Sequence, residues 1–125
     1  MNNIDEIMEM LDWNKNEEEQ RRGIELAKEI KCINVFMQPY GKNLWENCAK
    51  ILYDKTDKEL QPYLSRLFEW VQDLNWPGAL IILERLKKYE KNDVFIMCVN
   101  EIKLYAQAVN DEIWLENLNE AMEHS

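Results

Sequence analysis

The amino-acid sequence predicts an all-α protein of about seven helices, and three observations support this fold class. Apolar residues recur at spacings of three and four along most of the chain, which is the period of an amphipathic helix. The 125 residues include only three Gly and three Pro, too few for a turn-rich β sandwich. Helix-capping signals occur at Asn16 with Glu19 and at Thr56 with Glu59. A chain of this length forms one domain, so we expect a single helical domain over residues 1–125.

The apolar stripes and the capping signals place the helices along the chain. We expect helices at residues 4–12, 17–31, 43–54, 62–73, 77–88, 93–109 and 111–123. A single turn at residues 57–60 should precede the fourth helix, because the ring of Pro62 clashes inside a continuous helix. Asn92 with Asp93, and then Asn110, should start the last two helices. The expected buried stripe of helix 93–109 is Val94, Cys98, Ile102, Tyr105 and Val109, with Phe95 and Ala106 beside it.

The segment from residue 67 to residue 79 carries the most informative local pattern. An apolar stripe leads through helix 62–73 and consists of Leu60, Leu64, Leu67, Val71 and Leu74. Trp76-Pro77 should end this helix and begin the next, because Pro fits the first helical position and keeps the preceding residue out of the helical region. Asp73 should accept hydrogen bonds from the free N–H groups that open the next helix. Two helices joined so tightly must pack antiparallel.

Three helical hairpins follow one another in this interpretation. They are formed by helices 17–31 and 43–54, by 62–73 and 77–88, and by 93–109 and 111–123. Each pair spans roughly 30–40 residues, which is the length of a HEAT-like repeat. We therefore expect HEAT-like antiparallel hairpins stacked into a short α-solenoid.

The net charge of −9 is concentrated at the two ends of the chain. Residues 1–30 carry nine acids and four bases, and residues 111–125 carry five acids and no base. Residues 31–110 are almost neutral, with ten acids and eleven bases. A negative surface disfavours nucleic acid and anionic membranes and attracts basic proteins, so we expect a basic partner. The same charge could equally serve solubility alone.

Three parts of the sequence contain candidates for partner binding. Glu112, Glu116 and Glu120 share one face of the last helix, which is either a docking strip for a basic partner or a solvated face. Trp70 and Trp76 bracket the turn before Pro77, where large rings usually belong to the core but an exposed Trp76 would be a binding hot spot. Tyr40 lies in the long connection 32–42, whose apolar residues either pack under the helices or form a binding surface.

The sequence contains no arrangement of residues that indicates catalysis or metal binding. His124 is the single histidine and lies next to the chain end, and Cys32, Cys48 and Cys98 form no Cys-x-x-Cys pair. The three Gly are isolated, so no phosphate-binding loop is indicated. We expect a protein that is not an enzyme and uses no metal or cofactor.

The same cysteines bear on the location of the protein. An odd number without paired spacing argues against a secreted disulfide framework and favours reduced thiols in the cytoplasm. No basic and apolar leader opens the sequence, and no run approaches the ~18 apolar residues of a membrane span. We expect a cytoplasmic protein outside the membrane, either a monomer or a weak dimer.

Residues 62–64 and 70–77 resemble the signature of a bacterial family of small helical domains of uncharacterised function. That signature is Pro-Tyr-Leu followed by Trp-Leu-Gln-Asp-Leu-Asn-Trp-Pro, and here Val71 takes the place of the Leu. Residues 33–39 and 45–49 are also similar to that family, so the resemblance covers residues 13–88 and leaves out the last two helices. It implies a helical fold. Small acidic members of the family look like immunity proteins of bacterial toxin systems, and the resemblance brings no catalytic residues.

Two functions from different classes fit these observations. The first is a cytosolic immunity protein that caps a basic toxin, since an acidic inhibitor associates quickly with a basic protein. A toxin gene immediately upstream would distinguish this function. The second is a generic HEAT-like scaffold or adaptor that binds a peptide or protein, with several partners and no toxin neighbour. A nucleic-acid-processing repeat would need a basic groove, which the charge does not favour.

Overall fold

A computed structural model describes residues 3–124, and that part of the chain is helical and contains no strand. Its α-helices are α1 (Ile4–Met10), α2 (Glu17–Ala27), α3 (Trp45–Tyr53), α4 (Asp57–Leu60), α5 (Leu64–Trp70), α6 (Ala79–Lys88), α7 (Asp93–Ala108) and α8 (Glu112–Ala121). Short 3-10 helices lie at Ile33–Phe36, Lys42–Leu44 and Gln61–Tyr63. The all-α prediction is confirmed, and α4 is the single turn expected before Pro62.

Local signals in the sequence define most of the helix starts. The side chain of Asn16 accepts a hydrogen bond from the Glu19 N–H at 2.8 Å, and Thr56 forms the expected reciprocal capping box with Glu59. The Asn92 side chain accepts from the Phe95 N–H at 3.0 Å and starts α7. Pro62 lies in the 3-10 helix between α4 and α5, so the prediction that it interrupts this segment is confirmed.

Successive helices pack on one another around a single hydrophobic core. α1 packs on α2, α2 on α3, α3 on α6, α5 on α6 and α7, and α8 on both α6 and α7. Trp70, Phe68 and Phe95 are fully buried, and the rings of Phe68 and Phe95 meet edge to face at 5.3 Å between centroids. The core therefore joins the helices before residue 71 to those after residue 92.

The prediction of which residues of α7 are buried is wrong, because the buried stripe is displaced by about one residue from the expected one. Val94, Tyr105 and Val109 are exposed, whereas Phe95, Val99 and Ala106 form the buried face and Cys98 and Ile102 lie half-buried at its edge. Apolar residues occur on opposite sides of α7, so spacing alone allows two stripes. Contacts with α5 and α8 select the stripe that contains Phe95.

The connection 32–42 mostly belongs to the core. Ile33, Phe36 and Met37 are buried, and the Arg66 guanidinium donates to the Met37 carbonyl oxygen at 3.0 Å. Packing is therefore the role of its apolar residues, as one of the two interpretations expected. Tyr40 is the exception, because its side chain is fully exposed.

A buried arginine fixes α4 to α6. Arg85 donates through one guanidinium nitrogen to the Asp57 carboxylate at 2.5 Å and to the Lys55 carbonyl oxygen at 2.9 Å. The other Asp57 carboxylate oxygen accepts from the Glu90 N–H at 3.0 Å. Burial raises the pKa of Asp57, but the hydrogen bonds from Glu90 and Arg85 outweigh it and hold that pKa below its usual value.

Candidate functional site

The connection between α5 and α6 is longer than the sequence suggests. α5 ends at Trp70 instead of residue 73, and α6 begins at Ala79 instead of Pro77. Eight residues, 71–78, therefore separate the two helices, and Leu74 lies in this connection and not on the stripe of α5. Pro77 precedes the helix, so its predicted place as the first helical residue is wrong.

Three tryptophans hold the 71–78 connection in place. The Trp70 indole N–H donates to the Pro77 carbonyl oxygen at 3.0 Å, which folds the connection back onto the end of α5. The ring of Trp45 lies 6.0 Å from that of Trp70 and 5.9 Å from that of Trp76, edge to face in both pairs. Trp70 is fully buried, as expected, while Trp76 is half-buried and forms the outer edge of the cluster.

Gly78 is the last residue of the connection and the N-cap residue of α6. Its φ of +81° lies in the left-handed region, and a Cβ there would meet the Trp45 carbonyl oxygen and the Ala49 Cβ, each at 2.8 Å. The Gly78 N–H donates to the Glu46 carboxylate at 2.9 Å. Glu46 thus has the role expected of Asp73, whose carboxylate accepts instead from the Asn75 N–H at 2.8 Å.

A groove of about 530 Å³ opens on the outer side of Trp76. Its walls come from the 71–78 connection and from the start of α8, and they include Asp73, Trp76, Asp111 and Ile113. The two parts are joined where the Asn117 amide of α8 donates to the Val71 carbonyl oxygen at 2.8 Å. We call this feature the Trp76 groove.

The Trp76 groove combines apolar and acidic surfaces. Ile113 is two-thirds exposed and Trp76 is half-buried, while Asp73 and Asp111 contribute carboxylates. Asp111 uses one carboxylate oxygen to cap α8, accepting from the Trp114 N–H at 3.0 Å. Because a carboxylate offers about four lone-pair sites, both aspartates can still accept hydrogen bonds from a cationic ligand.

A second groove, of about 310 Å³, also has Trp76 in its lining. It is lined by Glu46, Pro77 and the exposed Leu80, and it shares Trp76 with the Trp76 groove. The Lys42 ammonium lies 5.7 Å from the ring centroid of Trp45 and 5.9 Å from that of Trp76. The indole rings of this cluster therefore already interact with a cation.

The predicted binding residues lie in three places: at the Trp76 groove, further along α8, and in the 32–42 connection. Trp76 lies in the groove, and Glu112 follows directly after the groove residue Asp111. Glu116 and Glu120 are exposed one and two turns further along α8, so the acidic strip leads away from the groove. Tyr40 is fully exposed, next to Pro39, whose carbonyl oxygen accepts from the Trp45 indole at 2.7 Å.

Asp111 and Ile113 are the groove residues that sequence reasoning missed. The predicted cap Asn110 is wrong: Asn110 has a φ of +57°, and Asp111 caps α8. Asn and Asp are equally good caps by type, and neither Asn110 nor Asp111 is followed three residues later by Glu or Gln, so no local signal separates them. Ile113 departs from the apolar stripe of α8, which contains Trp114 and Leu118, and its exposure follows from that position.

Two of the three cysteine thiols lie in surroundings that keep them protonated. Burial raises the pKa of the Cys48 thiol to about 12, and burial also raises that of Cys98, so both thiols are protonated at neutral pH. Among residues 3–124, no group of three or more His, Cys, Asp or Glu residues is placed to hold a metal ion. No helix in this part of the chain is long and apolar enough to cross a membrane.

Comparison with known proteins assigns most of the chain to one family. Residues 39–125 match the model of a family described as "Domain of unknown function (DUF5071)". The match contains the Trp76 groove and α8. Of the expected resemblance over residues 13–88 it covers residues 39–88 and leaves out residues 13–38, and it adds the last two helices, which the resemblance left out. No curated protein and no solved structure matches the chain. Since the matched segment covers well over half of the sequence, the chain belongs to the DUF5071 family of domains of unknown function.

Proposed function

We propose that this chain is a non-catalytic protein-binding domain, and most concretely a cytosolic immunity protein that neutralises a basic bacterial toxin. The observation that carries this proposal is the Trp76 groove, where Trp76 and Ile113 lie beside the carboxylates of Asp73 and Asp111. The acids Glu112, Glu116 and Glu120 continue from that groove along α8. A basic protein with an apolar centre would match both parts.

The two parts of this surface would contribute to binding in different ways. Partly exposed Trp side chains at the centre of an interface supply much of the binding free energy, which suits Trp76. Exposed acids at the edge mainly accelerate association, because they attract a basic protein before contact. Glu112, Glu116 and Glu120 suit the second role because each is exposed.

A HEAT-like arrangement of hairpins is part of this proposal. Helices α2 and α3, α5 and α6, and α7 and α8 form three successive pairs, and α3 packs on α6 while α5 and α6 pack on α7 and α8. Such contacts between successive pairs are typical of an α-solenoid, in which each repeat contacts its neighbours. The free thiols of Cys32, Cys48 and Cys98 support a reducing, cytoplasmic location.

A generic adaptor that binds a peptide is the second candidate. The two grooves share Leu74, Asn75 and Trp76, which suits an extended peptide that runs from one groove to the other. An adaptor of this kind would bind several partners, and none would need to be a toxin. The identity of the bound proteins separates the two candidates.

Affinity capture from the native host, followed by reconstitution with the purified partner, tests the proposal. We expect the wild-type chain to retain a basic protein, encoded next to this chain if the immunity function holds. Trp76→Ala should lose that protein, whereas Trp13→Ala removes another partly exposed tryptophan from outside the groove and should retain it. Equal retention by the two variants would show that the Trp76 groove is not the binding site.

A further inference from the structure

The Trp76 groove contains two carboxylates that the described chain uses only in part. The Asp73 carboxylate accepts from the Asn75 N–H through one oxygen. The Asp111 carboxylate likewise accepts from the Trp114 N–H through one oxygen. No salt bridge in the described part of the chain includes either aspartate. The second oxygen of each carboxylate is therefore left for a ligand in the groove.

Asn117 supplies a third acceptor group to the same groove. Asn117 is only 9% exposed, and its amide nitrogen donates to the Val71 carbonyl oxygen at 2.8 Å, which fixes the orientation of the side chain. Its side-chain oxygen accepts no hydrogen bond from residues 3–124. Because every fully buried side-chain nitrogen or oxygen in that part of the chain has a hydrogen-bond partner, this oxygen must reach solvent. Asn117 lines the Trp76 groove, so the oxygen faces that groove.

We propose that the Trp76 groove binds an arginine side chain of the basic protein partner, an inference that rests on the proposed function and names the group that is recognised. The guanidinium donates to the free carboxylate oxygens of Asp73 and Asp111 and to the side-chain oxygen of Asn117. Its flat face contacts the half-buried indole of Trp76. Its methylene chain contacts Ile113, which is two-thirds exposed.

Charge selects a cation as the occupant of the groove. The residues that line it include two carboxylates and no base. Lys42 lies 5.9 Å from the ring centroid of Trp76 but does not line the groove, so no ammonium in the lining repels an incoming cation. An anion would meet two like charges. An apolar side chain would cover the carboxylates without giving them donors, which is unfavourable.

Shape and donor count select arginine among the cations. A guanidinium is planar and carries five N–H donors in a fixed arrangement, so it can donate to three acceptor groups while one face lies on an indole. A lysine ammonium is a compact and strongly hydrated charge with three donors and no flat face. The indole beside the carboxylates also favours an organic cation over a metal ion, because the ring attracts a cation through its face but supplies no ligand atom.

An NMR titration with blocked tripeptides tests the proposal. The probes are acetyl-Gly-Arg-Gly-amide and the same peptide with Lys, or with the neutral analogue citrulline, in place of Arg. The reporter is the indole N–H signal of Trp76, identified by its loss in Trp76→Phe. We expect the Arg peptide to bind with a dissociation constant on the order of 1 mM, at least about threefold tighter than the Lys peptide. The citrulline peptide should give no saturable shift.

Two conservative variants remove the charge of the groove and keep its structure. In Asp73→Asn and Asp111→Asn the new side chain can still accept from the Asn75 or Trp114 N–H, and Asn caps a helix as well as Asp does. Each variant should weaken binding of the Arg peptide at least about fivefold, with the helical circular dichroism unchanged. Asp54→Asn is the matched control, because the exposed Asp54 lies outside the groove and its replacement changes the net charge equally.

The outcomes of the titration divide clearly. A saturable shift of the Trp76 signal that weakens in Asp73→Asn and Asp111→Asn but not in Asp54→Asn supports the proposal. Three results would overturn it: no saturable shift at about 20 times the expected constant, equal affinity for the Arg and Lys peptides, or binding that either groove variant leaves unchanged. Equal losses in all three variants would also overturn it, since binding would then depend on net charge alone.

Failure of the arginine proposal can be distinguished from failure of the proposed function. If Trp76→Ala loses the captured basic protein while Asp73→Asn and Asp111→Asn retain it fully, the proposed function stands and the arginine proposal is overturned. If the Arg peptide binds as expected but affinity capture retains no basic protein, the groove recognises arginine and the proposed function fails.

Discussion

Gly78 is the position where the α5–α6 connection tolerates substitution least. Ala at this site would need a positive φ and would place its Cβ 2.8 Å from a backbone oxygen. We expect Gly78→Ala to lower the free energy of unfolding by about 2–4 kcal/mol, measured by urea denaturation. Gly41→Ala is the control, because Gly41 also has a positive φ but a Cβ there would approach only the flexible Asn43 side chain closely. Equal losses would show that the backbone around Gly78 can relax.

Asp57 gives the fold a predictable dependence on pH. Its pKa is lower in the folded chain than in the unfolded chain, so its interactions stabilise the protein above the usual carboxyl pKa of about 4 and are lost as the pH falls through the lowered value. Asp57→Asn should reduce stability by about 2 kcal/mol at pH 7, because Arg85 stays buried without its carboxylate. The difference from wild type should shrink steadily below pH 4. A difference that is constant from pH 7 to pH 3 would contradict this role.

At the residue scale, sequence reasoning succeeds where a signal is local. The caps at Asn16, Thr56 and Asn92 each act on a residue three positions away, so the pattern and its partner are adjacent in the sequence. The Glu46 carboxylate accepts a hydrogen bond from the Gly78 N–H, 32 residues away in the sequence, and no local pattern predicts such a contact. Asp111 was missed for another reason, since Asn110 is an equally good cap by type.

At the element scale, the 71–78 connection depends on its tryptophans to different extents. Trp70→Ala removes a fully buried ring and the hydrogen bond to Pro77, so we expect a loss of about 3–5 kcal/mol. Trp76→Ala removes a half-buried ring and should lower the free energy of unfolding by about 1–2 kcal/mol.

Pro77→Ala keeps the carbonyl oxygen that accepts from the Trp70 indole, so it should lower the free energy of unfolding by less than about 1 kcal/mol. Thermal melting of the three variants checks this order, and a Trp76→Ala protein as unstable as Trp70→Ala would make Trp76 a core residue.

Element positions could be predicted better than element ends and faces. The α-helices were all expected, because their apolar periodicity is strong, whereas the 3-10 helix Ile33–Phe36 lies in a segment expected to be a connection. α5 ends early because the Trp70 indole donates to Pro77 and folds the chain back, and this requires the tertiary position of Trp70. The buried face of α7 could not be chosen from spacing, since Phe95 and Val94 both begin plausible stripes and only contact with other helices distinguishes them.

At the scale of the whole molecule, charge distribution was predictable and the groove was not. The acids of residues 111–125 can be counted from the sequence, and Glu112, Glu116 and Glu120 are exposed on α8 as a strip. The groove requires the 71–78 connection to lie beside the start of α8, which depends on packing between residues such as Val71 and Asn117 that are 46 positions apart. The strip alone gave no reason to connect Glu112 with Trp76.

The association rate of the basic partner tests the central claim most directly. We expect replacement of Glu112, Glu116 and Glu120 by Lys to slow association at least about tenfold at low salt, with a smaller effect on dissociation. Replacing the exposed Glu6, Glu18 and Glu29 by Lys changes the net charge by the same amount, from −9 to −3, and should slow association much less. Added salt should reduce the difference between the two variants, because it screens exposed charges. An association rate that depends only on net charge, or on neither salt nor either replacement, would contradict the claim that α8 and the Trp76 groove form the binding surface.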